Sequence, residues 1–182
     1  MKKLTFPDWL TVLRFVLTIP ILALTYHKDM VMDSLALGLY IVAAITDYFD
    51  GYLARKWNQT SNFGKFFDPL ADKFLVTSLL VLLVHQGIID PWLTIFLINR
   101  DLIVGGVRSL ASSEGLVISA GSSGKVKTAI QMVSIPCVVM GHHWEMNNVY
   151  YLGYGLLWIT TILSLTSAVD YVRSYMKFKA SK

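Results

Sequence analysis

Six apolar stretches follow one another along this chain, at residues 7–26, 31–54, 66–85, 92–111, 126–141 and 149–169. A helix needs about 20 apolar residues to cross the hydrocarbon of a bilayer. The connectors are short, so the six stretches consume nearly all of the 182 residues. They predict an all-α chain: a polytopic membrane protein with six transmembrane helices and a single domain over residues 1–182. Charge supports this. Only 15% of the residues are charged, against about 25% in a soluble domain, which is too few to cover a water-facing surface. A soluble enzyme, a nucleic-acid-binding module and a disordered regulator are excluded as readings. The net charge of +4 then calls for a basic membrane face and not for nucleic acid. One cysteine, Cys137, makes no internal disulfide.

Lys2 and Lys3 ahead of an apolar run imitate a signal peptide, but Asp8 and Arg14 interrupt the run and no small-residue cleavage site follows. An uncleaved first helix is expected. The basic residues orient it. With a cytoplasmic N-terminus, the outer connectors are residues 27–30, 86–91 and 142–148, and of the 16 Lys and Arg only Lys28 falls in them. This is a strong positive-inside pattern, and an even number of spans puts both termini in the cytoplasm.

Ionised side chains deep in a bilayer cost at least about 2.5 kcal/mol each, so they mark sites. Arg14, Asp47, Asp50, Asp68, Asp72, Arg100, Asp101 and Arg108 all lie within or at the ends of the apolar stretches. Asp47, Asp50, Gly51, Ala54 and Arg55 share one face of a helix, and Gly64, Asp68 and Asp72 recur every four residues on the next. Two antiparallel helices joined by a short loop can bring these faces together. The four converging carboxylates could not all stay ionised without counter-charge. Bound divalent cations supply it, and all-oxygen ligands suit Mg²⁺, Mn²⁺ or Ca²⁺. Gly51, Ala54 and Gly64 keep the face open to a ligand.

The run Asp47-Tyr48-Phe49-Asp50-Gly51-Tyr52-Leu53-Ala54-Arg55, then eight residues, then Gly64-Lys65-Phe66-Phe67-Asp68-Pro69-Leu70-Ala71-Asp72, resembles the CDP-alcohol phosphotransferase signature D-x2-D-G-x2-A-R-x8-G-x3-D-x3-D at all eight fixed positions. The opening from Pro7 to Arg14 is similar to the family's P-N-x-L-T-x-x-R start, with Asp8 in place of Asn. The stretches around Arg100–Arg108 and Gly124–Thr128 resemble the family branch whose donor is CDP-diacylglycerol and whose acceptor is sn-glycerol 3-phosphate. That branch usually has Ala-Arg-Glu where this chain has Asn99-Arg100-Asp101.

The resemblance implies a six-helix enzyme of the bacterial inner membrane, a homodimer with its site open to the cytoplasm. Two divalent ions are implied, Mg²⁺ first and Mn²⁺ second. Asp47, Asp50 and Asp68 would hold the pair, with Asp72 close to the second ion and acting as general base. Gly51, Ala54, Arg55 and Gly64 would line the CMP end of CDP-diacylglycerol, whose acyl chains stay among the membrane lipids. The acceptor carries a phosphate and needs cations, and Arg binds phosphate bidentately. Arg100 and Arg108 are two turns apart on one face, and Lys125 and Lys127 begin the fifth helix from the same side. With Arg14 they form the expected glycerol-phosphate site.

Two other readings compete. The same chemistry could serve inositol phosphate, serine or phosphatidylglycerol, although the cations disfavour serine. A divalent-cation transporter could use the acidic cluster, but it has no need of Gly51, Ala54 and Arg55 at their offsets. Residues 121–125 (Gly-Ser-Ser-Gly-Lys) lack the other positions of a Walker A loop and are expected to be a connector. His142 and His143 are read as surface residues of an outer loop.

Overall fold

The computed structural model describes the backbone of residues 5–56, 62–114 and 122–180; within these, the side chains of residues 6–7, 47–56, 62–66, 68–69, 72, 122–126 and 128 lie outside the described set. All regular structure among the described residues is helical: α1 (Phe6–Tyr26), α2 (Met30–Lys56), α3 (Asn62–His85), α4 (Pro91–Ser113), α5 (Ser122–His143) and α6 (Asn147–Ala180). Each apolar stretch read from the sequence falls on one helix. By length and hydropathy, Asp8–Tyr26 of α1 and α6 each hold a stretch apolar enough to cross a bilayer.

The helices form two compact units. The first contains α1, α2, α3 and the segment His142–Met146, which runs from the end of α5 toward α6. Here α1 starts at Thr5, whose N–H and hydroxyl both donate to Asp8 Oδ2, at 2.7 and 2.8 Å. Asp8 thereby satisfies an end donor and complements the positive end of the helix dipole. Thr11, Arg14, Thr18, Ile21 and Thr25 recur at three- and four-residue steps and are all buried, so they make one seam, and α2 and α3 pack on α1. The threonines can be buried because Thr18 and Thr25 donate to the carbonyls of Arg14 and Ile21, each at 2.9 Å. The other face of α1 carries Trp9, Val16 and Ile19, more than half exposed. Polar inside and apolar outside is the reverse of a water-soluble helix and is what hydrocarbon around the helix selects.

Turns in this unit have local causes. Lys28 has a positive φ of 54°, and Asp29 Oδ2 accepts from the N–H groups of Val31 and Met32, at 3.1 and 3.2 Å, to start α2. At the far end of α3, Gln86 Nε2 donates to the Thr25 carbonyl at 2.6 Å, satisfying one of the orphan acceptors that end α1. Tyr26 stacks on His85 with centroids 6.0 Å apart.

The second unit contains α4, α5 up to Gly141, and α6. Asp90 caps α4 by accepting from Trp92 N–H at 2.7 Å, with Pro91 in the first turn where its missing N–H costs nothing. α5 begins at Ser122, so Gly124 and Lys125 belong to its first turn and not to the expected connector. Gly153 of α6 lies hard against α5: a Cβ there would sit 2.7 Å from Cys137 Cβ and 2.9 Å from Ser134 O. Small residues at helix contacts of this kind let apolar backbones approach closely. Gly153→Ala is therefore expected to cost about 1–3 kcal/mol through overpacking, read as a lower unfolding midpoint in detergent. Gly155→Ala, which meets nothing within 4 Å, should not lower the midpoint, since Ala favours helix over Gly.

α6 outlasts its apolar stretch. Hydropathy ends near residue 169, yet the helix continues to Ala180. Its 34 residues give about 51 Å of length, well beyond the ~30 Å of a hydrocarbon core. Tyr175 OH donates to Glu114 Oε1 at 3.0 Å and tethers the extension to the end of α4.

Candidate active site

The acidic signature lies in the first unit. Asp47, Asp50, Gly51, Ala54 and Arg55 occupy the last turns of α2, and Gly64, Asp68 and Asp72 the first turns of α3. Both backbones are helical there, so each i, i+3 or i, i+4 carboxylate pair sits on one helix face, as the spacing required. The side chains of these eight residues lie outside the described residues. Four acids carried on two helices of one unit, with no sulfur or imidazole in the motif, are a donor set that fits a hard divalent ion.

α1 is brought to the level of the signature by Phe15. Its ring meets Phe67 edge-on at 6.4 Å and Phe74 at 5.4 Å, and these two residues bracket Asp68 and Asp72 in the chain. Arg14 precedes Phe15 and is 1% exposed. A guanidinium that deep is retained only when anionic or hydrogen-bonding groups compensate it. Arg14 thus belongs to the unit with the aspartates, while the other expected acceptor-binding cations are in the second unit.

In the second unit three of those cations are held by α6. Arg100 Nε donates to the Ser164 carbonyl at 3.3 Å, and its Nη1 is 2.5 Å from Asp101 Oδ1. Lys127, almost fully buried, donates through Nζ to the Leu163 carbonyl and the Ser167 hydroxyl. Arg108 Nη2 donates to Tyr171 OH at 3.0 Å, with the guanidinium carbon 5.1 Å from the Tyr171 ring centroid. The Nε of Arg108 is buried without a hydrogen-bond partner. Lys125 lies in the first turn of α5, and its side chain is outside the described residues. Arg100, Arg108 and Lys127 thus gather on one face of α6. The sequence reading missed Ser164, Ser167 and Tyr171. The signal was there, since they recur at steps of three and four in an otherwise apolar helix. Beyond them, the bond from Tyr175 to Glu114, and then burial, hold the Tyr175 hydroxyl above the ordinary tyrosine pKa, which keeps it a donor.

One expectation is overturned. His143 is not a surface residue: its side chain is 10% exposed, and Nδ1 lies 2.5 Å from Oδ2 of the buried Asp33. An acid one turn into an apolar helix needs such a neighbour, and the C-terminal end of α5 supplies it. His142 remains exposed, its ring edge-on to His143 at 5.1 Å. Among the described residues no group of three His, Cys, Asp or Glu is placed to hold a metal.

Comparison with known proteins agrees with the signature. A protein of Rickettsia bellii named CDP-diacylglycerol--glycerol-3-phosphate 3-phosphatidyltransferase is 31% identical over 176 residues, covering 94% of this chain and 96% of its own. A Shigella flexneri protein of that name is 37% identical over 173 residues, covering 91% and 92%. An Arabidopsis thaliana protein with the same name, numbered 2, is 34% identical, covering 100% of this chain and 84% of its own length. The family model described as CDP-alcohol phosphatidyltransferase matches residues 4–166, which include every position of the signature. The chain belongs to the CDP-alcohol phosphatidyltransferase family.

Proposed function

We propose that this protein transfers the phosphatidyl group of CDP-diacylglycerol to sn-glycerol 3-phosphate, giving phosphatidylglycerol phosphate and CMP. The observation that carries the reading is likeness over nine-tenths of both chains to proteins named for that reaction. The complete acidic signature and the cations held by α6 supply the chemistry it needs. A transporter reading finds no use for Gly51, Ala54 and Arg55.

In this reading Asp47, Asp50, Asp68 and Asp72 hold two divalent ions, Mg²⁺ first. When bound, such ions neutralise the charge on the donor pyrophosphate and on the departing CMP. Gly51, Ala54, Arg55 and Gly64 receive the CMP end of the donor. Arg100, Arg108, Lys125 and Lys127 hold the acceptor phosphate. An acceptor hydroxyl oxygen forms a bond to the β-phosphorus, the bond from that phosphorus to the bridging oxygen breaks, and CMP leaves with the electron pair. Asp72 takes the hydroxyl proton.

The membrane arrangement belongs to the same proposal. All six helices cross the bilayer, both termini are cytoplasmic and the site opens to the cytoplasm. Supporting this are the positive-inside pattern and the large apolar side chains exposed along α1, α2, α4 and α6. The setting is the inner membrane of a bacterium, with the protein as a homodimer.

The test is product analysis with purified protein, CDP-diacylglycerol and labelled glycerol 3-phosphate. Lipid-extractable label and equimolar CMP are expected. Product with inositol phosphate or serine and none with glycerol 3-phosphate would move the acceptor assignment. EDTA is expected to abolish CMP release and added Mg²⁺ to restore it in detergent, where no ion gradient exists. Turnover that survives chelation would remove the metal pair from the mechanism.

A further inference from the structure

We infer that Ser167 and Tyr171 of α6 are positioning residues that set Lys127 and Arg108 to receive the phosphate of the acceptor. The inference rests on the reading above and adds residues that lie past position 166, where the family match ends.

The geometry separates what is committed from what is open. The Arg108 guanidinium is fixed twice by one residue, through Nη2 to Tyr171 OH at 3.0 Å and by its place 5.1 Å from the ring centroid. A hydrogen bond and a cation–π contact together restrain both position and tilt. Its Nε, buried and without a hydrogen-bond partner, is a donor left in need. An unsatisfied buried donor destabilises the resting protein and is relieved when an oxyanion arrives. Lys127 shows the same division. An ammonium has three hydrogens, and the Leu163 carbonyl and Ser167 hydroxyl take two. The third is left for a ligand, and Ser167, having accepted from Lys127, keeps its own hydroxyl hydrogen to donate.

Spacing completes the argument. Ser167 and Tyr171 are four residues apart, about one turn, so the two holders share one face of α6 and present their cations from that face. Replacing either holder by one of the apolar residues that fill most of α6 removes a hydrogen bond from its cation. Asp170 is the acid within electrostatic reach of Lys127 and offsets part of the cluster's charge.

Tyr171→Phe keeps the ring and removes the hydroxyl; Ser167→Ala removes the other holder. Each variant is expected to raise KM for glycerol 3-phosphate about 5- to 10-fold, with kcat, KM for CDP-diacylglycerol and the unfolding midpoint little changed. Inorganic phosphate should inhibit the wild type competitively against glycerol 3-phosphate and inhibit Tyr171→Phe several-fold more weakly. In an Arg108→Ala background, Tyr171→Phe should add nothing. An unchanged KM, or an equal loss on both substrates with a lower midpoint, would overturn the inference. If the wild type uses a different phosphorylated acceptor, the proposed function fails while the KM shift for that acceptor still decides this inference.

Discussion

Asp72→Asn is expected to lower kcat by about 10²–10⁴-fold, the usual worth of a positioned general base, while CDP-diacylglycerol still binds. Asn matches Asp in size, so α3 keeps its shape and only the charge and the proton acceptor are lost. Asp72 lies one turn beyond Asp68 on the same helix face, where, in the proposed function, it would serve both the metal pair and the acceptor hydroxyl. The two roles respond differently to Mg²⁺. A metal-holding defect is relieved at high concentration, and a missing base is not. Activity within tenfold of wild type, or full recovery at high Mg²⁺, would remove the base assignment. Donor binding is read separately, by retention of CDP-diacylglycerol in a turnover-free binding assay.

Arg108→Ala is expected to reduce kcat/KM for glycerol 3-phosphate about 10- to 100-fold. Charge-assisted hydrogen bonds contribute roughly 1.5–3 kcal/mol, and each 1.4 kcal/mol is a factor of ten. Arg108 Nε is a buried donor without a hydrogen-bond partner, so its contribution should appear mainly when the acceptor is bound. The loss should fall on KM for the acceptor, with KM for CDP-diacylglycerol changed by less than twofold. Arg108→Lys should recover little, because an ammonium offers neither the planar fork nor the same contact with the Tyr171 ring. An effect confined to donor affinity would reassign the residue.

The helices were legible in the sequence because each apolar stretch is long and bounded by charges or turn residues, as at Lys28-Asp29 and Asp90-Pro91. Their ends were less so. α5 starts ahead of its apolar run and α6 continues past its own, since helix continues wherever backbone bonding and local contacts permit and hydropathy reports only the lipid-compatible part. The acidic signature could be read for the opposite reason. Its members are local in sequence, and helical periodicity alone puts them on shared faces.

What could not be read was every pairing between residues distant along the chain. Arg108 with Tyr171, Lys127 with Ser167, and His143 with Asp33 each join side chains from helices far apart in the chain. Spacing says which face a residue occupies but not which helix comes to meet it. The sequence by itself determined an all-helical chain, its family and the acidic groups available for chemistry, because hydropathy and helical periodicity act within one segment. The tertiary structure decided that α6 is the holder of three cations and that a histidine at the end of α5 covers a buried acid. A buried charge is compensated only by groups that packing delivers.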